Sequence, residues 1–228
     1  MAQQQVIAID GPAASGKSTI AGLLAARLRI PYINTGNMYR AITMFALDSG
    51  INLKRQCSDE VFAPLLKKLK LEYVQNVSGE YELLVNGVQP GSKLRSPEVA
   101  AFVSPVAALP GVREWLKSIQ HNAAELGLIV MEGRDIGTVI FPEAKFKFFL
   151  TASPLERARR RLGQSGETFD GATLESVARD IAERDRIDSS RAVAPLKPAP
   201  DAEIVDTTKM TIEEVISYLA GRINDGRS

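Results

Sequence analysis

The chain has 228 residues, of which 45% are hydrophobic and 24% charged, a composition typical of globular proteins and unlike that of disordered or membrane-spanning chains. The 28 Lys and Arg residues balance the 27 Asp and Glu residues, so the net charge of +1 provides no field to hold a long nucleic acid or an anionic membrane. We therefore expect any anion to be bound locally.

Strand and helix patterns alternate along the chain. The apolar run at 6–9 stops at a Gly-rich turn, after which apolar residues recur at helical spacing from Ile20 to Leu28. Further apolar runs predict buried strands at 31–33, 128–131, 146–150 and 203–205. Continuous apolar runs between helices are typical of a parallel sheet covered on both faces. The sequence predicts an α/β core.

Helix starts are marked by capping patterns. Ser-x-x-Glu at 153–156, with proline at the first helical position, predicts a capping box, and Thr-x-x-Glu at 211–214 predicts another before the last helix. Ser96, directly before a proline, opens a third helix.

Residues 60–95 break the alternation. The runs at 71–77 and 81–86 read as strands joined by a Ser78-Gly79 turn, and Asn86 before Gly87 is the dipeptide that type I′ turns favour. We expect a small antiparallel subdomain inserted in the core. Pro64 is expected to start or kink the helix that leads into it.

A second break at 163–171 separates two arginine-rich helices. Cations spaced i, i+3 and i+4 form a ridge on the first helix: Arg157, Arg160 and Arg161. In the second helix one face would carry Arg184, Asp188 and Arg191 if the helix persists that far. These helices read as a hinged flap, and the alternative is a solvated helical hairpin. Surface ion pairs are the preferred interpretation for three others: Arg159, Arg179 and Arg186.

A phosphate-binding loop follows the first strand. Residues 11–18 match G-x-x-x-x-G-K-[ST] between a strand and an amphipathic helix, which is the context this pattern requires. Lys17 would reach the β and γ phosphates of a nucleotide and the Ser18 hydroxyl would hold Mg²⁺. The predicted donor-binding residues are Gly11, Pro12, Ala13, Ala14, Ser15, Gly16, Lys17, Ser18 and Thr19.

A kinase needs a second anion site beside the first. Arg40 follows the second strand and Arg134 the third, at the carboxyl ends of parallel strands where ligands bind. The guanine-reading pattern Asn-Lys-x-Asp is absent from the chain, which removes the main evidence for a GTPase switch.

Four segments carry a family resemblance: the P-loop from Ile9, Thr-Gly-Asn-Met-Tyr-Arg at 35–40, Gly-Arg-Asp-Ile-Gly-Thr-Val-Ile-Phe-Pro at 133–142, and Arg-Asp-x-x-Asp-x-x-Arg-Ala-x-Ala-Pro-Leu at 184–196. Together they closely resemble the bacterial cytidylate kinases. The resemblance implies a P-loop nucleoside monophosphate kinase fold: a five-stranded parallel sheet flanked by helices, an antiparallel insertion and a helical lid. The implied plan is core (1–35), monophosphate-binding region (36–103), core (104–152), arginine-rich lid (153–192) and core (193–228).

The same resemblance implies phosphoryl transfer from ATP, with Mg²⁺, to CMP or dCMP. The implied acceptor-binding residues are Thr35, Arg40, Ser104, Arg113, Arg134, Asp135, Arg184, Asp188 and Arg191. Among them Arg40 and Arg134 would grip the acceptor phosphate. The implied catalytic cations are Lys17, Arg157, Arg161 and Arg184.

Cytosine recognition has a physical basis in the residues themselves. A carboxylate such as Asp135 accepts from the exocyclic amino group, whereas uracil would present a carbonyl to it. Arg113 and Ser104 would donate to the acceptor edge of the base. Two positions depart from the family pattern, because Asn34 and Glu132 stand where aspartate is expected.

Two alternatives remain open: a P-loop kinase for another small acceptor such as UMP or AMP, and a nucleotide-binding switch without transferase activity. Since an ionised phosphate is the attacking group, no general base is needed, and His121, in mid-helix, is interpreted as structural or superficial.

The cellular setting follows from simple features. A single cysteine, Cys57, excludes an internal disulfide and fits a reducing compartment. Residues 1–5 lack a signal-peptide pattern, and no run approaches the roughly 20 apolar residues of a spanning helix. We expect a soluble cytoplasmic monomer, since no exposed heptad or apolar stripe is visible.

Overall fold

The computed structural model describes residues 5–77, 79–164, 168–169 and 171–226. Its strands are β1 (Val6–Asp10), β2 (Tyr32–Asn34), β3 (Leu71–Gln75), β4 (Tyr81–Val85), β5 (Ile129–Glu132), β6 (Phe146–Thr151) and β7 (Glu203–Asp206). Its helices are α1 (Lys17–Leu28), α2 (Thr35–Asp48), α3 (Asp59–Leu66), α4 (Pro97–Ala108), α5 (Pro110–Ala123), α6 (Pro154–Leu162), α7 (Leu174–Ser189) and α8 (Ile212–Asp225).

Five strands form a parallel sheet in the order β2-β5-β1-β6-β7. All five predicted core strands are present within one or two residues of their expected bounds, so the α/β prediction is confirmed. The strand at the centre, β1, is buried along its whole length and leads directly into the P-loop. The sheet thus delivers the loop to its carboxyl edge, between β5 and β6.

Side-chain alternation along β1 divides the core between the two faces of the sheet. Ile7 and Ile9 belong to a cluster with Leu24 of α1 and Leu219 of α8. Val6 and Ala8 belong to a larger cluster on the other face, which gathers residues of α2, α4 and α5. Burial on both faces explains why β1 reads as a continuous apolar run.

The insertion is a hairpin of β3 and β4 that pair antiparallel in a sheet of their own. Asn86 (φ 49°) and Gly87 (φ 81°) both take positive φ, as a type I′ turn requires. Ser78 of the other predicted turn lies outside the described residues. Pro64 lies inside α3, which begins at Asp59; the alternative that Pro64 starts this helix is therefore wrong.

The predicted caps are largely present. Thr211 and Glu214 form both halves of a capping box at α8, and Ser96 caps α4. At α6, Ser153 accepts from the backbone N–H of Glu156, but the Glu156 carboxylate accepts from Arg160 Nε at 3.0 Å. Only half of the box predicted at 153–156 forms, because the arginine competes for this carboxylate.

The α6–α7 pair occupies the region of the predicted lid. Ala158 of α6 packs with Val177 and Ile181 of α7 in a small apolar cluster. The predicted hinge at 163–171 lies partly outside the described residues. No helix in the described part of the chain has the length and apolar content needed to cross a membrane.

Candidate active site

Two glycines shape the loop between β1 and α1. A Cβ on Gly11 would lie 2.1 Å from the backbone oxygen of Leu150, and Gly11 has a φ of +148°. Gly16 takes a φ of 91° as the N-cap of α1. Only glycine allows this close approach and this turn. The loop therefore wraps the N-terminus of α1, where backbone N–H groups and the helix dipole attract an anion.

Lys17 is buried at the first position of α1. Its Nζ donates to the Pro12 carbonyl at 2.6 Å and lies 3.3 Å from Ser15 Oγ. Burial, followed by the charge of Arg134, lowers the pKa of Lys17 well below its ordinary value. An anion beside Nζ would favour the charged form, so this lysine is prepared for a phosphate.

A cavity of about 320 Å³ opens above the loop. Among the described residues, cations from six separate segments of the chain line it: Lys17, Arg40, Arg95, Arg134, Arg161 and Arg184. Burial and then neighbouring cations lower the pKa of Arg40 to about 10 and those of Arg161 and Arg184 to about 9. Like charges held this close indicate a site for a polyanion. Arg95 was not predicted from the sequence.

A smaller cavity of about 50 Å³ adjoins the first and shares Arg134 and Arg184 with it. The predicted acceptor residues on its wall are Thr35, Ser104, Arg113, Arg134, Asp135, Arg184, Asp188 and Arg191. The remaining one, Arg40, lines the larger cavity. The structure thus gathers this set around two connected spaces.

Asp135 and Arg113 form a buried ion pair in the smaller cavity. Arg113 Nη1 also donates to the Ala107 carbonyl at 3.2 Å, and its Cζ lies 5.7 Å from the ring centre of Tyr39. Burial raises the pKa of Asp135, opposed by the charges of the surrounding arginines. Tyr39 was missed, although it stands in the Thr-Gly-Asn-Met-Tyr-Arg segment.

Asp188 ties α7 to the loop that follows β5. Its Oδ2 accepts from Arg134 Nε at 3.0 Å, and its Oδ1 accepts from Arg191 Nη2. Because α7 ends at Ser189, Arg191 does not share a helical face with Arg184 as predicted. Burial alone would raise the pKa of Asp188, but the charges of Arg134, Arg191 and Arg184 lower it below its usual value. The carboxylate therefore stays ionised and orients two of the arginines on the cavity wall.

Arg157, which the resemblance implied to be a catalytic cation, contacts the P-loop backbone and α7 instead of the cavities. Its Nη1 donates to the Ala13 carbonyl at 3.2 Å and to Asp185 Oδ2, and it does not line either cavity. Arg160 likewise donates to Ser15 O at 3.1 Å and to Thr207 O at 2.8 Å. The structure brings Arg161 of the α6 ridge to the cavity and turns Arg157 against the outside of the P-loop.

Asn34 and Glu132, the two positions that depart from the family pattern, are joined by hydrogen bonds through Tyr32. Tyr32 donates through its hydroxyl to Glu132 Oε1 at 2.9 Å and accepts from Asn34 Nδ2 at 3.0 Å. Asn34 Oδ1 caps α2 by accepting from the Asn37 N–H at 3.0 Å. Within the described residues the buried Glu132 Oε2 has no partner, and Glu132 lies on the wall of the larger cavity.

A P-loop at the carboxyl edge of a five-stranded parallel sheet, with a second arginine-lined pocket beside it, defines a P-loop phosphotransferase. The sequence model described as cytidylate kinase matches residues 7–225, so the chain belongs to the cytidylate kinase family.

Close relatives cover the whole chain. A cytidylate kinase from Desulforamulus reducens is 44% identical over 228 residues, with all of both chains covered. One from Pelotomaculum thermopropionicum is 43% identical over 221 residues, covering 97% of this chain and 96% of the relative. An uncharacterized protein from Eubacterium ventriosum has a similar structure, with a TM-score of 0.54, 13% identity and coverage of 97% and 99%. That last likeness concerns the fold alone.

Proposed function

We propose that this protein transfers the γ-phosphoryl group of ATP to CMP or dCMP, giving ADP and CDP or dCDP. The observation that carries the proposal is the pair of adjoining cavities that share Arg134 and Arg184. The triphosphate of ATP would lie on the P-loop in the larger cavity. The nucleoside of the acceptor would occupy the smaller one, with its phosphate directed at the shared arginines.

In-line transfer needs only positioning and charge neutralisation here. An acceptor phosphate oxygen, ionised at pH 7 because its second pKa is about 6, forms the new bond to the γ phosphorus. The bond to the β–γ bridging oxygen breaks, and the electron pair leaves with ADP. Lys17, Arg161 and Arg184 would neutralise the charge. His121 of α5 has its Nε2 2.9 Å from the Ile140 carbonyl. This contact supports a structural role for His121.

Base selection would rest on the Asp135–Arg113 pair. Asp135 Oδ2 is engaged by Arg113, which leaves Oδ1 to accept from the exocyclic amino group of cytosine. Arg113 and Ser104 lie on the same cavity wall and would donate to the ring acceptors. Uracil would place a carbonyl against a buried carboxylate, a contact with no hydrogen bond.

The residues present fit a nucleotide-bound Mg²⁺. The Ser18 hydroxyl and Glu132 line the same cavity, and Glu132 Oε2 is an unpartnered buried acceptor among the described residues. Mg²⁺ prefers oxygen ligands and usually binds through one or two carboxylates together with substrate phosphates. Bound there, the ion would neutralise charge on the β and γ phosphates. Ser18 would contact the ion, and Glu132 would hold its water.

We also propose that the enzyme acts as a monomer in the cytoplasm. The P-loop residues Ala14 to Thr19 and the predicted acceptor residues come together around two adjoining cavities within one copy of the chain, which supports a complete site in a single copy. The single, partly buried Cys57 is consistent with a reducing compartment.

The test is ADP release from ATP and Mg²⁺ with CMP, dCMP, UMP or AMP added separately. We expect strong stimulation by the two cytidine nucleotides and its loss when EDTA removes the metal. Stimulation by UMP or AMP instead would keep the kinase and overturn the assignment of Asp135. Release that ignores all four acceptors would favour a switch or a different acceptor.

A further inference from the structure

Both polar backbone atoms of one P-loop residue are held by side chains of the α6–α7 pair. The Ala13 N–H donates to Asp185 Oδ1 at 3.3 Å, and the Ala13 carbonyl accepts from Arg157 Nη1 at 3.2 Å. The same Nη1 donates to Asp185 Oδ2. The contacts close a ring through Ala13, Asp185 and Arg157, which we call the clasp.

The clasp is shielded from solvent. The Arg157 side chain is 10% exposed and the Asp185 side chain 21% exposed. An ion pair with this little exposure interacts more strongly than one on the surface, and removal of one partner leaves the other without compensation. Because Arg157 belongs to α6 and Asp185 to α7, the clasp fixes both helices to the donor loop.

The position of Asp185 in α7 links the two cavities. Its neighbour Arg184 lines both of them, and Asp188, one turn later, binds Arg134 and Arg191 on the acceptor side. A shift of α7 relative to the P-loop would therefore move the acceptor wall as well. One rigid helix touches the donor loop at Asp185 and the acceptor pocket at Asp188.

We propose that the clasp couples the donor and acceptor sites: it ties α7, whose Arg184 lines both cavities, to the P-loop, so that a ligand that orders the loop also orders α7 and filling of one cavity strengthens binding in the other. Asp185 and Arg157 are positioning residues in this arrangement and act through Arg184. The proposal rests on the two-nucleotide function above for its binding test and is independent of that function for its structural test.

The binding test compares Asp185→Asn with the matched control Glu183→Gln. Asn keeps the shape of Asp185 and loses its charge, whereas Glu183 bonds to Arg186 on the exposed side of the same helix. Titration calorimetry measures the Kd of CMP with and without a non-hydrolysable ATP analogue. In the parent protein and the control we expect the analogue to tighten CMP binding about 10-fold. In Asp185→Asn we expect the analogue to tighten CMP binding less than about 3-fold. The Kd of each nucleotide measured alone should change by a smaller factor than this tightening does.

The structural test uses hydrogen exchange in the ligand-free protein. Asp185→Asn should speed exchange at the Ala13 amide and in α7, and Glu183→Gln should not. Arg157→Lys, which keeps the charge and shortens the reach, serves as a second variant if Asp185→Asn does not fold. We expect Arg157→Lys to show the same faster exchange and reduced coupling.

The outcomes separate the two proposals. Unchanged coupling and exchange in the clasp variants would overturn the clasp. A parent protein that binds no CMP would overturn the proposed acceptor, and hydrogen exchange would still decide whether Asp185 and Arg157 hold α7 on the loop.

Discussion

The α6–α7 pair presents arginines on two sides: its base, with Arg157 and Arg160, contacts the P-loop, and its cavity face, with Arg161 and Arg184, lines the larger cavity. The charges around the arginines differ between the two sides. At the base, Arg157 and Arg160 donate to backbone carbonyls of the P-loop and to Asp185 and Glu156. On the cavity face, burial and like charges depress the pKa of Arg161 and of Arg184 to about 9. Cations paired within the protein stabilise its fold, whereas cations crowded together favour an anion that is still to bind.

The largest effect is expected on the cavity side of this comparison. Lys17→Met removes the cation that would neutralise charge developing on the β and γ phosphates during transfer. We expect kcat to fall about 10³-fold. A coupled assay of ADP release with saturating CMP measures it. Arg159→Met, in α6 with a 62% exposed side chain, is the control and should retain full turnover. A loss below 10-fold for Lys17→Met would remove this lysine from the reaction.

Arg157 and Arg161, one turn apart in α6, should respond differently to substitution by alanine. Arg161→Ala should lower kcat about 10²-fold and change the free energy of unfolding less than Arg157→Ala does, because it also relieves crowding of like charges. Arg157→Ala should lower the free energy of unfolding by about 2 kcal/mol, because it leaves Asp185 and the Ala13 carbonyl without this donor. Steady-state kinetics and denaturant unfolding of both variants provide the test. If both variants lost turnover equally and kept the parent's free energy of unfolding, the two arginines would not have the separate roles proposed for them.

Arg157 also shows what the sequence could not specify. Spacing places Arg157, Arg160 and Arg161 on one ridge of α6, but whether each meets the P-loop or the cavity depends on α7 and on Thr207, which are distant in the chain. Arg95 was missed for a similar reason, since it ends a short helical turn, Gly91–Arg95, without a periodic pattern.

Local signals were sufficient elsewhere. Apolar runs predicted the inner strands β1 and β5 because both are buried along their whole length, whereas the edge strand β7 was predicted although it is partly exposed. The loop glycines predicted the P-loop because close approach excludes a Cβ at Gly11. Arg40 and Arg134 were predicted from their positions after strands, and their acceptor roles and most of the other acceptor residues came from the family resemblance; the structure gathers them in two adjoining cavities. Asn34 is explained by its role as the N-cap of α2, which either a short amide or a carboxylate can fill.

Within the acceptor cavity, Asp135→Asn tests whether a paired group also selects the base. We expect the ratio of kcat/KM for CMP over UMP to fall about 30-fold, because a bidentate or charged base contact contributes about 1–3 kcal/mol of discrimination. Competition between the two acceptors in one assay measures it. Tyr81→Phe, on the hairpin, should keep the parent ratio. An unchanged ratio in Asp135→Asn would locate base selection in other residues.

The last effect is on stability alone and concerns Asp10, a hydrogen-bonded group at the end of β1. Its carboxylate accepts from the N–H groups of Ile136 and Gly137 at 2.9 and 2.7 Å, yet burial raises its pKa from 3.8 to about 7. The folded protein then holds a proton that the unfolded chain has lost, so this group's contribution to stability is full below about pH 4 and is lost as pH rises through about 7.

The difference in unfolding free energy between the parent protein and Asp10→Asn isolates that contribution. We expect it to decrease by on the order of 3 kcal/mol between the two pKa values of Asp10. Denaturant unfolding across this pH range measures it. A difference that stays constant or grows with pH would mean that the two N–H donors keep Asp10 ionised.

The proposed function requires two nucleotides to meet end to end across Arg134 and Arg184. A bisubstrate compound, adenosine and cytidine joined by five phosphates, tests it directly by calorimetry. We expect one molecule bound per chain, with a Kd at least 100-fold below that of ATP or CMP alone, since one linked ligand fills both cavities. Affinity no greater than that of ATP, with CMP still able to bind, would contradict a continuous site.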